Sequence, residues 1–215
     1  MRLAIFDMDG TVLRGNSWQE YFWWAVGEWP GAAPGLLARL ALRKGGVLSA
    51  RALRDAALRP LHGKSQAEVE EVGRRVFEAR LRAQIRRAAR REIAEMQAQG
   101  FSPVLATGAF EFLARPVAEE LGVGEVVCTR LEYDSGVCGG RIRGLETRGE
   151  EKAGAVRERF ANRAVEWAGS RAYTDDLEDL PLLNLVSDRV LVSAAGRSRT
   201  FQLPESVRAV IWPDD

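Results

Sequence analysis

Two aspartates near the N-terminus, Asp7 and Asp9, are the residues of this chain best suited to do chemistry. They follow a short apolar run that starts at Leu3 and is typical of a buried parallel strand. In an open α/β sheet, ligands bind at the carboxyl ends of the strands, where two carboxylates repel each other unless a cation holds them. Oxygen-only ligands suit Mg²⁺, so the pair indicates a magnesium site. A turn with an aspartate cap is the competing interpretation.

Three further segments carry polar residues at the end of an apolar run or at the start of a helix. They are residues 104–109, which contain a Thr-Gly pair, residues 148–152, which read Arg-Gly-Glu-Glu-Lys, and the acid-rich stretch 173–181. Taken alone, each has an ordinary explanation. Thr107 could cap the following helix, Lys152 could be a surface lysine, and the acids could form a helix N-terminal cluster favoured by the dipole.

The four segments, in this order and at this spacing, resemble the haloacid dehalogenase (HAD) superfamily of phosphotransferases over nearly the whole chain. The resemblance implies an α/β fold, with a Rossmann-like parallel sheet core and an all-helical cap inserted after the first strand. It also implies a phosphatase that depends on Mg²⁺. The helical insertion and the Arg-Gly-Glu-Glu-Lys pattern are most similar to subfamily IB, which contains phosphoserine phosphatase.

The resemblance implies a role for each acid of the first segment. Asp7 is the expected nucleophile and forms an aspartyl-phosphate, which splits the very slow hydrolysis of a phosphate monoester into two easier steps. Asp9 is the expected general acid and base, which protonates the leaving alkoxide and then deprotonates the attacking water. Phosphatases use an acid at this position and dehalogenases do not, so Asp9 favours a phosphatase.

The phosphate contacts follow from the same resemblance. Four residues are expected to bind the phosphate: Gly10, Thr107, Gly108 and Lys152. Two of them, Thr107 and Lys152, are also expected to act in catalysis. The lysine would neutralise charge on the nucleophile and on the transferring phosphoryl group.

The expected Mg²⁺ ligands are Asp7, the backbone carbonyl of Asp9, and Asp175. Asp179 is expected either to reach the metal through water or to hold the phosphate-binding lysine. Asp176 is the alternative to Asp175 as the side-chain ligand from the last segment.

Length and composition set the broad class. A chain of 215 residues predicts one core domain with a small insertion. A net charge of +1 argues against a dedicated nucleic-acid binder. The N-terminus reads as a strand from its second residue, with no signal-peptide pattern, and two cysteines without metal-ligand spacing fit a reducing compartment. These features predict a cytoplasmic protein, and they leave its oligomeric state open.

The expected domains are a core of residues 1–13 and 88–215 and a helical cap of residues 14–87. Apolar residues recur at helical spacing through the cap, including a long segment from Ala67 to Arg91. Strands and helices then alternate, which predicts a parallel sheet. The expected elements are a helix to residue 99, a strand at 102–106, a helix at 110–121, a strand at 124–128, a hairpin at 129–144, a helix from 150, a strand ending near 174, a helix from 180, and strands at 189–192 and 208–212.

Two features of the cap admit more than one interpretation. The aromatic stretch from Trp18 to Trp29 predicts core packing, with an apolar substrate pocket or a membrane-facing patch as the alternative. The arginines between residues 74 and 91 alternate with glutamates, which favours a solvated helix with ion pairs over a site for anionic lipid or nucleic acid.

The substrate predicted from the resemblance is a small soluble phosphate ester. Phosphoserine phosphatase has a glutamate early in its cap, where this chain has Asn16, with Glu20 one turn later. This departure puts phosphoserine itself in question. The alternatives are a lipid phosphatase at the membrane surface, similar to relatives acting on phosphatidylglycerophosphate, and a phosphate-binding module without catalysis.

Overall fold

The structure is a computed structural model that describes residues 1–194 and 206–213. Six parallel strands form one sheet: β1 (Arg2–Phe6), β2 (Phe101–Phe110), β3 (Glu125–Thr129), β6 (Arg171–Thr174), β7 (Asp188–Ala194) and β8 (Val207–Trp212). Their spatial order is β3-β2-β1-β6-β7-β8. A separate antiparallel hairpin consists of β4 (Leu131–Asp134) and β5 (Val137–Ile142).

The longer helices occur in two groups. Between β1 and β2 lie α1 (Ser17–Glu28), α2 (Ala33–Lys44), α3 (Ala50–Leu58), α4 (Gln66–Val76) and α5 (Arg87–Ala98). Among the later strands lie α6 (Glu111–Glu120), α7 (Gly149–Arg159) and the short α8 (Leu180–Leu183). The parallel sheet with helices on both faces is the fold class that the sequence predicts.

The central strand β1 positions the acidic segment. Its residues Leu3, Ala4, Ile5 and Phe6 are fully buried, because helices cover both faces of the sheet. The chain builds outward from β1 to β2 and β3 on one side, and from β6 to β7 and β8 on the other. The strand order therefore reverses between β1 and β6, and ligands bind at such a switch point in open α/β sheets.

The two ends of the helical segment after β1 are hydrogen-bonded to each other, residues 12–14 to residues 84–86. Arg14 donates its backbone N–H to the carbonyl of Gln84 at 2.9 Å, and Arg86 donates to the carbonyl of Val12 at 2.9 Å. This pairing extends the backbone just before α5, so the helical pattern predicted from residue 67 to 91 is wrong as one helix. Instead, α4 ends at Val76, and short π and 3₁₀ turns follow to residue 84. The division into a core and a cap stays a prediction.

Two other predicted boundaries differ from the structure. Strand β2 continues to Phe110 rather than ending at residue 106, and its register against β3 shifts between Ala106 and Phe110. A shift of this kind re-aims side chains, and the Thr-Gly pair of the sequence lies within it. The helix predicted from residue 180 is only the four residues of α8.

The ambiguous features of the helical segment are packed as the sequence favours. Tyr21, Phe22 and Trp24 are buried in the hydrophobic core, whereas Trp23 is half exposed. Arginines of the 74–91 run pair with glutamates, for example Arg90 with Glu120 at 2.9 Å. Within residues 1–194 and 206–213, none of the helices combines the length and the apolar content needed to cross a membrane.

Candidate active site

The carboxyl end of β1 delivers Asp7 into a buried ion cluster. The backbone N–H of Asp7 donates to the carbonyl of Tyr173 at 2.9 Å, which ties this residue to the neighbouring strand β6. Its Oδ1 lies 2.8 Å from Nζ of Lys152, and the same Nζ lies 2.6 Å from Oδ2 of Asp179. Asp179 also accepts the hydroxyl of Thr174 at 2.9 Å. One ammonium therefore holds two buried carboxylates.

Electrostatics in this cluster follow from burial and charge. Burial alone would lower the pKa of the Lys152 ammonium. The negative charges of Asp7 and Asp179 outweigh that effect, so the pKa is raised and the lysine stays protonated. Burial raises the pKa of Asp7 to about 7, against the lowering effect of Lys152. The lysine is on the first turn of α7, which directs it into the site and away from solvent.

Asp9 is held by the first residue of helix α1. Its Oδ1 accepts the backbone N–H of Ser17 at 2.9 Å, and its Oδ2 accepts the Ser17 hydroxyl at 3.0 Å. The preceding residue, Asn16, caps the helix by accepting the N–H of Gln19 at 3.1 Å. Burial raises the pKa of Asp9, and the two bonds from Ser17 oppose that rise.

A third carboxylate, Asp175, lies against the turn after β1. Gly10 has φ = +83°, and a Cβ built on it would lie 2.3 Å from Oδ2 of Asp175, so only glycine lets these groups approach. The hydroxyl of Thr11 donates to Oδ1 of Asp175 at 3.1 Å and lies 3.5 Å from Oδ2 of Asp7. One hydroxyl therefore links the carboxylates at the ends of β1 and β6.

This arrangement fits a small divalent cation. Two carboxylates, from Asp7 and Asp175, and the backbone around Asp9 offer only oxygen donors, which Mg²⁺ prefers. In the described part of the chain, no group of three or more His, Cys, Asp or Glu side chains is arranged as a metal centre. Mg²⁺ usually keeps several waters and takes only one or two carboxylates from the protein, so two side chains and a carbonyl are enough.

Thr107 and Gly108 lie on the irregular end of β2. The Thr107 hydroxyl accepts the N–H of Ala109 at 3.0 Å, which fixes its side chain locally. It does not cap helix α6, whose N-cap residue is Phe110. A Cβ on Gly108 would lie 3.0 Å from Cγ of Arg148, so the chain here packs closely against the start of α7.

All nine residues that the sequence singles out for this site line one cavity of about 510 Å³: Asp7, Asp9, Gly10, Thr107, Gly108, Lys152, Asp175, Asp176 and Asp179. Asp176 points its carboxylate back to its own chain, because Oδ1 accepts the N–H of Glu178 at 3.1 Å. The described walls of the cavity carry six carboxylates and three basic side chains.

The sequence interpretation misses two contributors to the site. Ser17 is fully buried and contacts Asp9. The helix-start pattern at residues 16–17 of the sequence predicts that Ser17 lies in the first turn of α1, but it does not indicate the contact with Asp9. Arg54 of α3 pairs with Glu146, on the loop before α7. Burial and Arg148 lower the pKa of Arg54 to about 10, while the charge of Asp9 raises it.

Comparisons with known proteins point to one family of hydrolases. The sequence model of the haloacid dehalogenase-like hydrolases matches residues 4–184. Phosphoserine phosphatase SerB1 of Mycobacterium tuberculosis is 26% identical over 92% of this chain and 67% of its own length. A histidinol-phosphatase of Neisseria meningitidis is 28% identical over 98% of this chain and 96% of its own length.

Solved structures show the same fold. A protein of unknown function from Bordetella pertussis matches with a TM-score of 0.72 and 26% identity, over 89% of each chain. A phospho-aspartyl intermediate analogue of phosphoserine phosphatase matches with a TM-score of 0.59 and 16% identity, over 89% of this chain and 86% of that one. The predicted fold class is confirmed, and the names of the relatives agree with the predicted phosphatase. The family match covers most of the sequence, so the chain belongs to the haloacid dehalogenase-like hydrolase family.

Proposed function

We propose that the chain is a phosphate monoester hydrolase that depends on Mg²⁺ and works through an aspartyl-phosphate on Asp7. The observation that carries the proposal is the buried contact of Asp7 with Lys152, in a cavity whose described walls have twice as many acids as bases. An anionic phosphate enters such a cavity only if additional positive charge is present. Mg²⁺, held by Asp7, the Asp9 carbonyl and Asp175, would supply that charge.

The first half-reaction transfers the phosphoryl group to the protein. A carboxylate oxygen of Asp7 attacks phosphorus, and the bond from phosphorus to the ester oxygen breaks. Asp9, whose pKa burial raises, donates its proton to the departing alkoxide. Lys152 and the hydroxyl of Thr107 stabilise the charge that spreads over the phosphoryl oxygens.

The second half-reaction returns the protein to its starting state. The Asp9 carboxylate, now ionised, takes a proton from a water molecule, and that water attacks the phosphorus of the aspartyl-phosphate. The bond from Asp7 to phosphorus breaks, and inorganic phosphate leaves. Ser17 keeps Asp9 in one orientation through two hydrogen bonds, so the same group can serve in both directions.

The substrate class we propose is a small polar phosphate monoester. The cavity of about 510 Å³ has mostly charged and polar walls, which supports a small polar molecule over an acyl chain. Two relatives are named for phosphoserine and for histidinol phosphate, both amine-bearing monoesters. Asn16 lines the cavity, and Glu20 is not among the described residues that do.

The helical segment of residues 14–87 would act as a cap. It supplies the Ser17 contact to Asp9 and the Arg54 contact to Glu146, so it contacts both a residue of the site and the loop that precedes α7. A cap of this kind excludes water and selects the leaving group. A lipid substrate has little support at the site, because only Trp23 of the aromatic stretch is exposed and several arginines of the 74–91 run pair with glutamates.

The test is phosphate release from a panel of phosphate monoesters, with phosphoserine and histidinol phosphate included, with and without Mg²⁺. We expect release that requires Mg²⁺ and falls below about one ten-thousandth in Asp7→Asn, because the nucleophile is lost. Trapping of ³²P on the wild-type chain and not on the variant would locate the intermediate. Release by Asp7→Asn at the wild-type rate would contradict the nucleophile assignment.

A further inference from the structure

Helix α2 presents an apolar face to solvent. Leu37, Ala38, Ala41 and Leu42 follow the spacing i, i+1, i+4, i+5, which places them on one side of a helix. All four are exposed, with Leu37 at 42% and Leu42 at 47%, while Leu36 on the opposite side is buried. A helix on the surface of a soluble domain normally has this polarity reversed, with polar side chains outward.

The end of α2 extends the same face. Val47 donates its N–H to the carbonyl of Leu42 at 2.9 Å, and Gly46, at φ = +76°, donates to Arg43 at 3.1 Å. These two bonds form a Schellman motif, in which the side chains at the positions of Leu42 and Val47 normally pack against each other. Here Val47 is 76% exposed. We call Leu37, Ala38, Ala41, Leu42 and Val47 the α2 face.

The segment that carries the α2 face is basic. On α2 itself Lys44 borders the face, at i+3 from Ala41, whereas Arg43 lies on the side of the buried Leu36. From residue 29 to residue 54 the chain has five basic residues and no acidic one. Arg54 pairs with Glu146, whereas Arg39, Arg43, Lys44 and Arg51 have no ion pair within the described residues. The arginines of α4 and α5 differ, because several of them pair with glutamates.

We propose that the α2 face binds the surface of an anionic lipid bilayer. Exposed leucines and a valine, with Lys44 at their border and four more basic residues but no acid between Glu28 and Asp55, are the chemistry that inserts into the headgroup region of a negatively charged membrane. A second copy of the chain fits less well, because it would bring the same unpaired cations against each other. The helix lies on the bilayer and does not span it, and the proposal does not depend on the catalytic assignment.

The test is co-sedimentation of the full chain with vesicles of phosphatidylcholine alone, or of phosphatidylcholine mixed with phosphatidylserine. We expect pelleting with the mixed vesicles, and a loss of pelleting as salt rises well above about 0.1 M. The double variant Leu37→Gln/Leu42→Gln should bind about tenfold or more weakly, since two apolar side chains leave the interface. Lys44→Gln should weaken binding roughly fivefold.

A matched control places the same change elsewhere. Val137 and Leu145 are also exposed, at 45% and 65%, and lie outside the helical segment. Val137→Gln/Leu145→Gln should bind like the wild type. Thermal unfolding of both double variants checks that the fold is retained.

Three results would overturn the proposal. The wild type could remain in the supernatant with mixed vesicles at low salt. The two double variants could lose binding equally, which would show general hydrophobicity. Finally, sedimentation velocity could show a wild-type dimer that Leu37→Gln/Leu42→Gln converts to a monomer while neither binds vesicles, which would make the α2 face a contact between copies.

Discussion

Asp7 and Asp9 are two residues apart, yet different parts of the molecule hold their side chains. Asp7 contacts Lys152, from helix α7 that packs on the sheet. Asp9 contacts Ser17, the first residue of helix α1 in the helical segment inserted after β1. The nucleophile we propose therefore depends on the sheet and on helix α7, while the proposed acid and base depends on the correct docking of the helices inserted after β1.

The partners also differ in charge, and this difference separates the two roles. The ammonium beside Asp7 favours its ionised form, which a nucleophile requires. The neutral donors from Ser17 orient Asp9 without a full positive charge, so burial can keep its pKa raised. A carboxylate beside a cation and a second carboxylate held only by neutral donors are the pattern expected of a nucleophile and a proton donor.

Asp9→Asn is the strongest test of that contrast. The carboxamide keeps the volume of the side chain but cannot donate or take the proton, so we expect both half-reactions to slow by about 10²- to 10⁴-fold. Rapid-quench measurement of phosphoenzyme formation and decay would resolve the two steps.

A matched control for Asp9→Asn is Asp176→Asn. Asp176 lines the same cavity, but its carboxylate caps its own chain, so its loss should change either step by less than about tenfold. Phosphoenzyme decay at the wild-type rate in Asp9→Asn would contradict the role of Asp9 as a base. A large loss in Asp176→Asn would instead make it the metal ligand.

Asp7→Asn should stabilise the chain in the absence of metal. Between about pH 4 and pH 7 the folded chain keeps a proton on Asp7 that the unfolded chain has released, because burial raises the pKa to about 7. The free energy of unfolding therefore falls as pH rises through this window. At pH above 7 the neutral asparagine should raise that free energy by roughly 1–3 kcal/mol.

Thermal or urea unfolding with a chelator present would measure this difference. Added Mg²⁺ should then raise the midpoint of the wild type more than that of Asp7→Asn, since the cation binds the ionised carboxylate. An equal or lower stability of the metal-free variant at neutral pH would show that Lys152 fully compensates the buried charge.

The sheet and its acidic edge were predictable from the sequence because they rest on local patterns. Apolar runs that end in Asp, Thr-Gly or Thr-Asp-Asp fix both the strand and the residue at its carboxyl end. The predicted boundaries failed where tertiary contacts override the pattern. Strand β2 continues through its Thr-Gly pair, because its register against β3 shifts there. The helical pattern predicted for residues 67–91 is interrupted at Arg86, because the backbone N–H of Arg86 donates to the carbonyl of Val12.

The partners of the site residues were harder to predict than the residues themselves. The contact between Ser17 and Asp9 depends on how helix α1 docks, and a single sequence does not encode that angle in any short motif. The outward apolar face of α2 was also hidden, because helical periodicity shows that one side is apolar and not which side faces the core.

Ser17→Ala should have the smallest effect on turnover, and it tests directly how the helical segment changes the pKa of Asp9. Loss of the hydroxyl removes one of two bonds to the ionised Asp9, so the pKa of that carboxyl should rise further. The first step needs a protonated Asp9, so the alkaline limb of the profile of kcat/KM against pH should move to higher pH. Turnover at the optimum should fall by less than about tenfold, because the backbone N–H of residue 17 still orients the group.

Ser170→Ala is the matched control for Ser17→Ala. Ser170 is equally buried, but its hydroxyl oxygen accepts the N–H of Leu3 at the opposite end of β1. Its loss should lower the unfolding midpoint without moving the pH profile. If Ser17→Ala leaves the profile in place and only lowers stability, as Ser170→Ala should, then the helical segment supports the fold at this point and does not tune Asp9. The contrast between the two carboxylates would then come from Lys152 beside Asp7, and not from the Ser17 hydroxyl beside Asp9.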